Sequence, residues 1–175
     1  MTDENDDRRL ATEAEAKAVA SAVRLRILRL CLDEALTNKE IAERLDANPA
    51  TVLHHVRTLV ATGFLAAQEE RSGARGAREI PYLATRKSWN LRLGTEHHSD
   101  LNAAMLQVFQ SEVSAVGDPA QVNTARLGLR LDEEQYERFH ERLRALLSEL
   151  ERQKPGPGAQ PYSLFVAIHP DVDRQ

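Results

Sequence analysis

The chain contains one cysteine, Cys31, so no intramolecular disulfide can hold its fold together. A lone thiol suits a reducing compartment. Because Cys31 follows Ile27, Leu28 and Leu30 in an apolar helical stretch, it reads as a core residue. No apolar run approaches the ~20 residues that span a bilayer. The N-terminus, MTDENDD, lacks the basic-then-apolar pattern of a secretory signal. The expected location is therefore cytoplasmic, with no membrane partner. Also missing are HExxH, CxxC, a phosphate-binding glycine loop and GxSxG. No enzyme, metal or cofactor is expected. Positive charge is scarce as well, with 23 basic against 27 acidic residues. That excludes a broad basic surface.

The charge is unevenly spread. Residues 37–90 hold eight basic and six acidic groups, whereas residues 91–175 hold nine and thirteen. The excess acid therefore lies outside the stretch TNKEIAERLDANPATVLHHVRTLVATGFL, residues 37–65, which carries the strongest local signals. Thr37 with Glu40 fits a capping box, in which hydroxyl and carboxylate satisfy two otherwise unpaired N–H groups. Ile41, Ala42 and Leu45 then share a helical face. Asp46 and Ala47 break the helix. Asn48 is a favoured N-cap, and Pro49 suits a first helical position, where a missing N–H costs nothing. The second helix buries Val52, Val56 and Leu59, and Gly63 is placed to end it in a left-handed cap.

The opposite face of that second helix presents Ala50, Thr51, His54, Arg57, Thr58 and Ala61 at about 100° per residue. These groups are small or polar, and none is acidic, so they fit a major groove. Arg57 suits a guanine edge or a phosphate, and Thr51 and His54 suit base edges or a thymine methyl. Thr37, Lys39, Asn48 and Thr58 are further expected DNA contacts. His55 borders the apolar stripe and reads as a packed, hydrogen-bonded histidine. Two strand candidates follow, residues 64–69 and 77–84, around a turn containing Gly73 and Gly76. Arg71, Arg75 and Arg78 cluster at this tip, with Arg86 and Lys87 just beyond. Such a tip can follow a phosphate backbone or enter a minor groove. Pro81 implies that the second strand is at a sheet edge or is interrupted there.

AKAVASAVRLRILRL at 16–30, LTNKEIAERL at 36–45, NPATVLHHVRTLVATGFL at 48–65 and the arginine-tipped hairpin together resemble an ArsR-type winged helix-turn-helix repressor over about residues 14–88. The resemblance implies a homodimer that lays the helix from Pro49 into the major groove of double-stranded DNA. It also matches Thr51, His54 and Arg57 to recognition-helix contacts, and Arg71, Arg75 and Arg78 to wing contacts. The founding members sense metals through cysteines in the first motif helix. NKEIAERL has none, so arsenic or zinc sensing does not carry over.

The second half differs in kind. A helix is expected from about Asp100 to Val116, with Leu101, Met105, Val108, Phe109, Val113 and Val116 on one side. Alternation predicts a strand at 124–131, TARLGLRL, and an apolar strand closes the chain at 162–168, YSLFVAI. Between them lies a helix from Asp132 to about Gln153. Tyr136, Phe139, Leu143, Leu146 and Leu150 recur along it at the spacing of a coiled-coil seam. Two heptads are too short to hold a dimer unaided, and packing onto the chain's own strands is an equal alternative. Two strands alone form no stable sheet, so this part must borrow partners.

The expected fold is mainly α with small β, in the α+β class: a winged helix-turn-helix domain plus a C-terminal helix and a strand-helix-strand extension. The expected domains are an acidic disordered tail at 1–11, a DNA-binding domain at 12–90 and a dimerisation and effector-sensing extension at 91–175. The dimer contacts are expected at Leu101, Met105, Phe109, Tyr136, Phe139, Leu143, Leu146 and Leu150, and the effector is an unidentified small molecule. Two rivals stand beside this reading. One is a protein-interaction module built on a winged helix; the other is a metal-dependent sensor or enzyme using His97, His98, Glu96 and Asp100. Adjacent histidines on a helix diverge by about 100°, which weakens the second.

Overall fold

A computed structural model describes residues 8–73, 76 and 78–174. The chain divides into two compact units, Met1–Gly117 and Asp118–Gln175.

The first unit begins where a disordered tail was expected. Residues 1–7 of that tail lie outside the described residues, but Arg9–Leu10 forms a strand, β1, pairing in parallel with a later strand, β7, at Leu91–Arg92. Helix α1, Glu13–Val19, opens with a capping box: Glu15 N–H donates to Thr12 Oγ1, and Thr12 N–H to Glu15 Oε2 at 2.7 Å. Helix α2 spans Ala22–Leu30. The apolar stretch 16–30 is thus two helices, broken at Ala20 and Ser21.

Helices α3, Asn38–Leu45, and α4, Pro49–Ala61, form the expected pair. Their apolar faces converge with α2 on a core of Ile27, Cys31, Ile41, Val52, Val56, Leu59 and Phe64. Asp46 takes the left-handed conformation that turns α3 into α4. Gly63 has φ +73°, and Phe64 N–H reaches back to Leu59 O at 2.8 Å, so the left-handed stop after α4 is realised.

Strands β2, Leu36–Thr37, β3, Leu65–Ala67, and β6, Pro81–Ala84, make an antiparallel sheet in the order β2-β6-β3. Strands β4, Arg71–Ser72, and β5, Arg78–Glu79, form a separate two-stranded ribbon beyond it. The strand expected at 77–84 is therefore two short ones, the strand expected at 64–69 is shortened to β3, and β4 falls in the stretch expected as the turn. Pro81 is the reason on the second strand: it has no N–H to give a ladder and is tolerated at a strand's first residue. Of the two expected alternatives the interruption is realised and the edge position is not, because β6 is the central strand.

Helix α5, His98–Ser114, packs on α2 within the first unit. It had been expected to belong with the C-terminal part. Ala104 and Val108 are its buried residues, Leu101 packs against the core, and Arg29 Nε lies 2.5 Å from Glu112 Oε1. Met105 is 41% exposed and Phe109 half-buried. The helix is apolar on more than one side, so spacing alone placed the buried face one step away.

The second unit is built on helix α6, Glu133–Arg152, which starts with a capping box between Asp132 and Gln135. Residues 124–131 and 162–168 form no strand. Their alternation is strand-like, but among the described residues neither segment joins a hydrogen-bonded ladder. Among the described residues, none of the buried ones comes from this unit. No helix among the described residues is long and apolar enough to cross a membrane.

Candidate nucleic-acid interface

The site is built from the α3–α4 corner outward. Thr37 caps α3: Glu40 N–H donates to its hydroxyl oxygen, while its own N–H and hydroxyl donate to Glu40 Oε2 at 2.7 and 2.9 Å. Asn38 Nδ2 donates to Pro49 O at 3.0 Å, which ties the start of one helix to the start of the other. Asn48 Oδ1 accepts from Ala50 N–H at 2.8 Å, fixing the first turn of α4. These bonds set the angle at which α4 leaves the core.

With Val52, Val56 and Leu59 buried, α4 turns Ala50, Thr51, His54, Arg57 and Ala61 to the surface, all exposed. Arg57 forms no ion pair or hydrogen bond among the described residues. Thr58 is half-buried, and its hydroxyl donates to His54 O at 3.1 Å, so that group is already engaged with the helix backbone. Lys39 is exposed, with Glu43 Oε1 at 3.9 Å. Asn48 is exposed at the mouth of the same corner.

Thr37 departs from expectation. It is 4% exposed and its hydroxyl is spent on the cap, so its side chain offers no surface to a ligand. The capping box that made Thr37 conspicuous in the sequence is also what encloses its side chain. His55 is packed as expected, but its Nδ1 is buried without a hydrogen-bond partner among the described residues. Burial first, then the neighbouring Arg24 and His54 charges, pushes its imidazolium pKa down, so it stays neutral.

The wing arginines divide. Arg71 Nη2 lies 2.5 Å from Glu40 Oε1, so this residue holds the ribbon against α3. Glu40 thus serves the cap with one oxygen and the wing with the other. Its pKa is lowered mainly by the Thr37 backbone N–H, and further by the Thr37 hydroxyl and Arg71. Arg78 is highly exposed, with Glu70 Oε2 at 3.3 Å. Arg75 lies outside the described residues.

Arg86 and Lys87 are fastened to the protein rather than held out from it. Arg86 Nη2 is 2.9 Å from Asp33 Oδ1. Lys87 Nζ donates to Thr62 O at 2.6 Å, meets Glu15 Oε1 at 2.5 Å and sits 5.3 Å from the centre of the Phe64 ring. Glu15 also receives Arg9 at 2.8 Å. The Arg9 and Lys87 hydrogen bonds hold the buried Glu15 carboxyl far below the usual carboxylate range. Sequence spacing gave no sign of this triad, because Lys87 lies 72 residues beyond Glu15 in the chain.

The His97–His98 cluster does not converge. His98 Nε2 lies 3.1 Å from Leu93 O, while the His97 ring lies 3.9 Å from Glu96 Oε1. Among the described residues no three histidine, cysteine or carboxylate groups are placed to hold a metal ion.

Residues 19–67 match the helix-turn-helix domain family, a stretch that runs from the end of α1 to the end of β3. No curated protein matches the chain. Among solved structures it is similar to reduced HlyU from Vibrio cholerae, at 22% identity and TM-score 0.36, over 54% of this chain and 84% of that one. It is also similar to the adhesin competence repressor AdcR from Streptococcus pyogenes, at 18% identity and TM-score 0.34, over 85% of each chain. A third likeness is to a MepR–DNA complex from S. aureus, at 17% identity and TM-score 0.27, over 79% of this chain and 80% of that one.

Proposed function

We propose that this chain is a sequence-specific DNA-binding transcriptional regulator, acting as a homodimer on a pseudo-palindromic operator and repressing by occupying a promoter. The observation that carries the reading is the exposed face of α4. Thr51, His54 and Arg57 stand out from a helix whose other side is anchored in the core, within the stretch that matches the helix-turn-helix family. A helix so held can enter a major groove of about 12 Å width, with Arg57 on a guanine or a phosphate and Thr51 and His54 on base edges. Lys39 and Asn48 lie where they would meet the flanking phosphates. Arg78 and Arg75 would follow the backbone from the wing, and Arg71 would steady the wing through Glu40.

The dimer enters because one helix reads only a few base pairs, and two-fold repetition doubles the contacts and sets the half-site spacing at about one turn or a multiple. An ArsR-type mode of docking and a cytoplasmic location are part of the proposal. The test is to incubate the purified full chain with sheared genomic DNA, sequence what is retained, and measure affinity for the recovered site against a scrambled duplex at fixed salt. Enrichment of an inverted repeat, bound at least about a thousandfold more tightly than the scrambled duplex, is expected. Retention of DNA with no sequence preference, or of none, would overturn the reading. A promoter fusion carrying the recovered site should then be more active without the protein than with it.

A further inference from the structure

The second unit has a formed helix and no core. Among its described residues Tyr136, Leu146 and Leu150 of α6 are 42%, 51% and 46% exposed, and Phe139 and Leu143 are only half-buried. An open groove of about 640 Å³ runs along this face. Its described lining residues, Gln135, Arg138, Phe139, Arg142, Leu143 and Leu146, all belong to α6 itself. The groove therefore has a floor of apolar side chains and no described opposite wall.

We infer that this wall is α6 of a second copy, packed antiparallel across a two-fold axis. Tyr136, Leu143 and Leu150 occupy one set of heptad positions, and Phe139 and Leu146 the other. Turned antiparallel, Phe139 meets Leu150 of the second copy and Leu143 meets its Leu146, each contact occurring twice. That makes four apolar layers with no gap.

Charge selects this direction. Arg142 and Glu149 are exposed, flank the seam on the same side, and form no ion pair among the described residues. By contrast Arg138 already pairs with Glu134. In the antiparallel arrangement Arg142 faces Glu149 of the second copy, and the symmetry repeats the pair. In a parallel arrangement Arg142 would face Leu147 instead, leaving its charge against an apolar group.

The helix alone is insufficient. Its 20 residues span about 30 Å at about 10 Å diameter, so the seam covers only a few hundred Å² against the roughly 800 Å² per partner of a stable interface. The remainder is at hand in the two extended segments. Leu127, Leu129 and Leu131, and Tyr162, Leu164, Val166 and Ile168, are all exposed at alternate positions. Alternating segments of this kind are suited to pairing edge to edge with those of the second copy.

The inference rests on the dimer of the proposed function and supplies its surface; its test uses no DNA, so failure of the seam and failure of DNA recognition are read separately. The full chain is examined by sedimentation velocity over a concentration series, alone and as Arg142→Glu, Glu149→Arg and the double variant. Helical content by circular dichroism serves as the folding control, since both side chains are exposed. The wild-type chain is expected to be a dimer. Each single reversal, which sets like charges together twice, should raise the dimer dissociation constant about tenfold, and the double variant should return to within about threefold of wild type. A monomeric wild-type chain, single reversals without effect, or a double variant no better than the singles would overturn the antiparallel seam.

Discussion

The Arg71 guanidinium meets Glu40 through one carboxylate oxygen, while the other oxygen caps the helix that begins the reading corner. The wing and α3 therefore share one anionic group. If Arg71 acts by positioning, Arg71→Ala and Glu40→Gln should weaken operator binding similarly, and the double variant should be little worse than either single one. A phosphate contact by Arg71 would instead lower the salt slope by about one in Arg71→Ala alone. Fluorescence anisotropy at several salt concentrations separates the two.

Glu15, buried between Arg9 and Lys87, should be sensitive to acid. Its carboxyl titrates far lower in the folded chain than its ordinary value of 4.5. A depressed folded pKa stabilises above the unfolded value and is lost as pH falls below it. Melting temperature should therefore decline from about pH 4.5 downward, and Glu15→Gln should flatten that decline while costing about 1–3 kcal/mol at pH 7. An unchanged acid profile in the variant would remove the triad from the stability of the fold.

Arg57→Ala should weaken operator binding by about 1–3 kcal/mol and relax specificity at one base pair, if the residue reads a base. Arg78→Ala should weaken binding evenly across sequences. Because both residues are exposed, neither change should move folding stability by more than about 0.5 kcal/mol. Equal affinity of both variants and wild type at fixed salt would rule out this docking.

Salt dependence should be shallow for a DNA-binding protein. Arg44, Arg71, Arg86 and Lys87 are already held by Glu34, Glu40, Asp33 and Glu15. Four further cations in residues 37–90, Lys39, Arg57, Arg75 and Arg78, remain per subunit, so the logarithmic salt slope for a dimer should be no steeper than about −7. A steeper slope in a titration of affinity against salt would mean that these pairs break on binding.

Cys31 is fully buried, and burial raises its thiol to about 11. Alkylation at neutral pH should be negligible in the native chain and rapid in denaturant, tracking global unfolding. Native reactivity at the rate of a free thiol would contradict the core as described.

The reading corner was legible because its boundaries are local. Thr37 and Glu40, Asn48 and Pro49, and Gly63 each act within four residues of their own position, and every one is realised. What was not legible depends on pairing across the chain. Arg71 was expected at DNA, yet the nearest carboxylate in space lies 31 residues earlier. Residues 124–131 alternate like a strand, but alternation describes only one side of a ladder. The packing of helix α5 on α2 was not legible either, because Ala104, one of its two buried residues, is too small to stand out in a hydrophobic pattern.

The break before Pro81 has a consequence for how much this wing can vary. Leu65, Ala66 and Ala67 stand opposite Ala84, Leu83 and Tyr82, and Pro81 begins that alignment afresh without hydrogen-bonded continuity from Arg78 and Glu79. Residues can therefore be added to or removed from the tip without sliding Tyr82 and Leu83 from their places. The tip is free to change length, while the sheet that carries it stays the same.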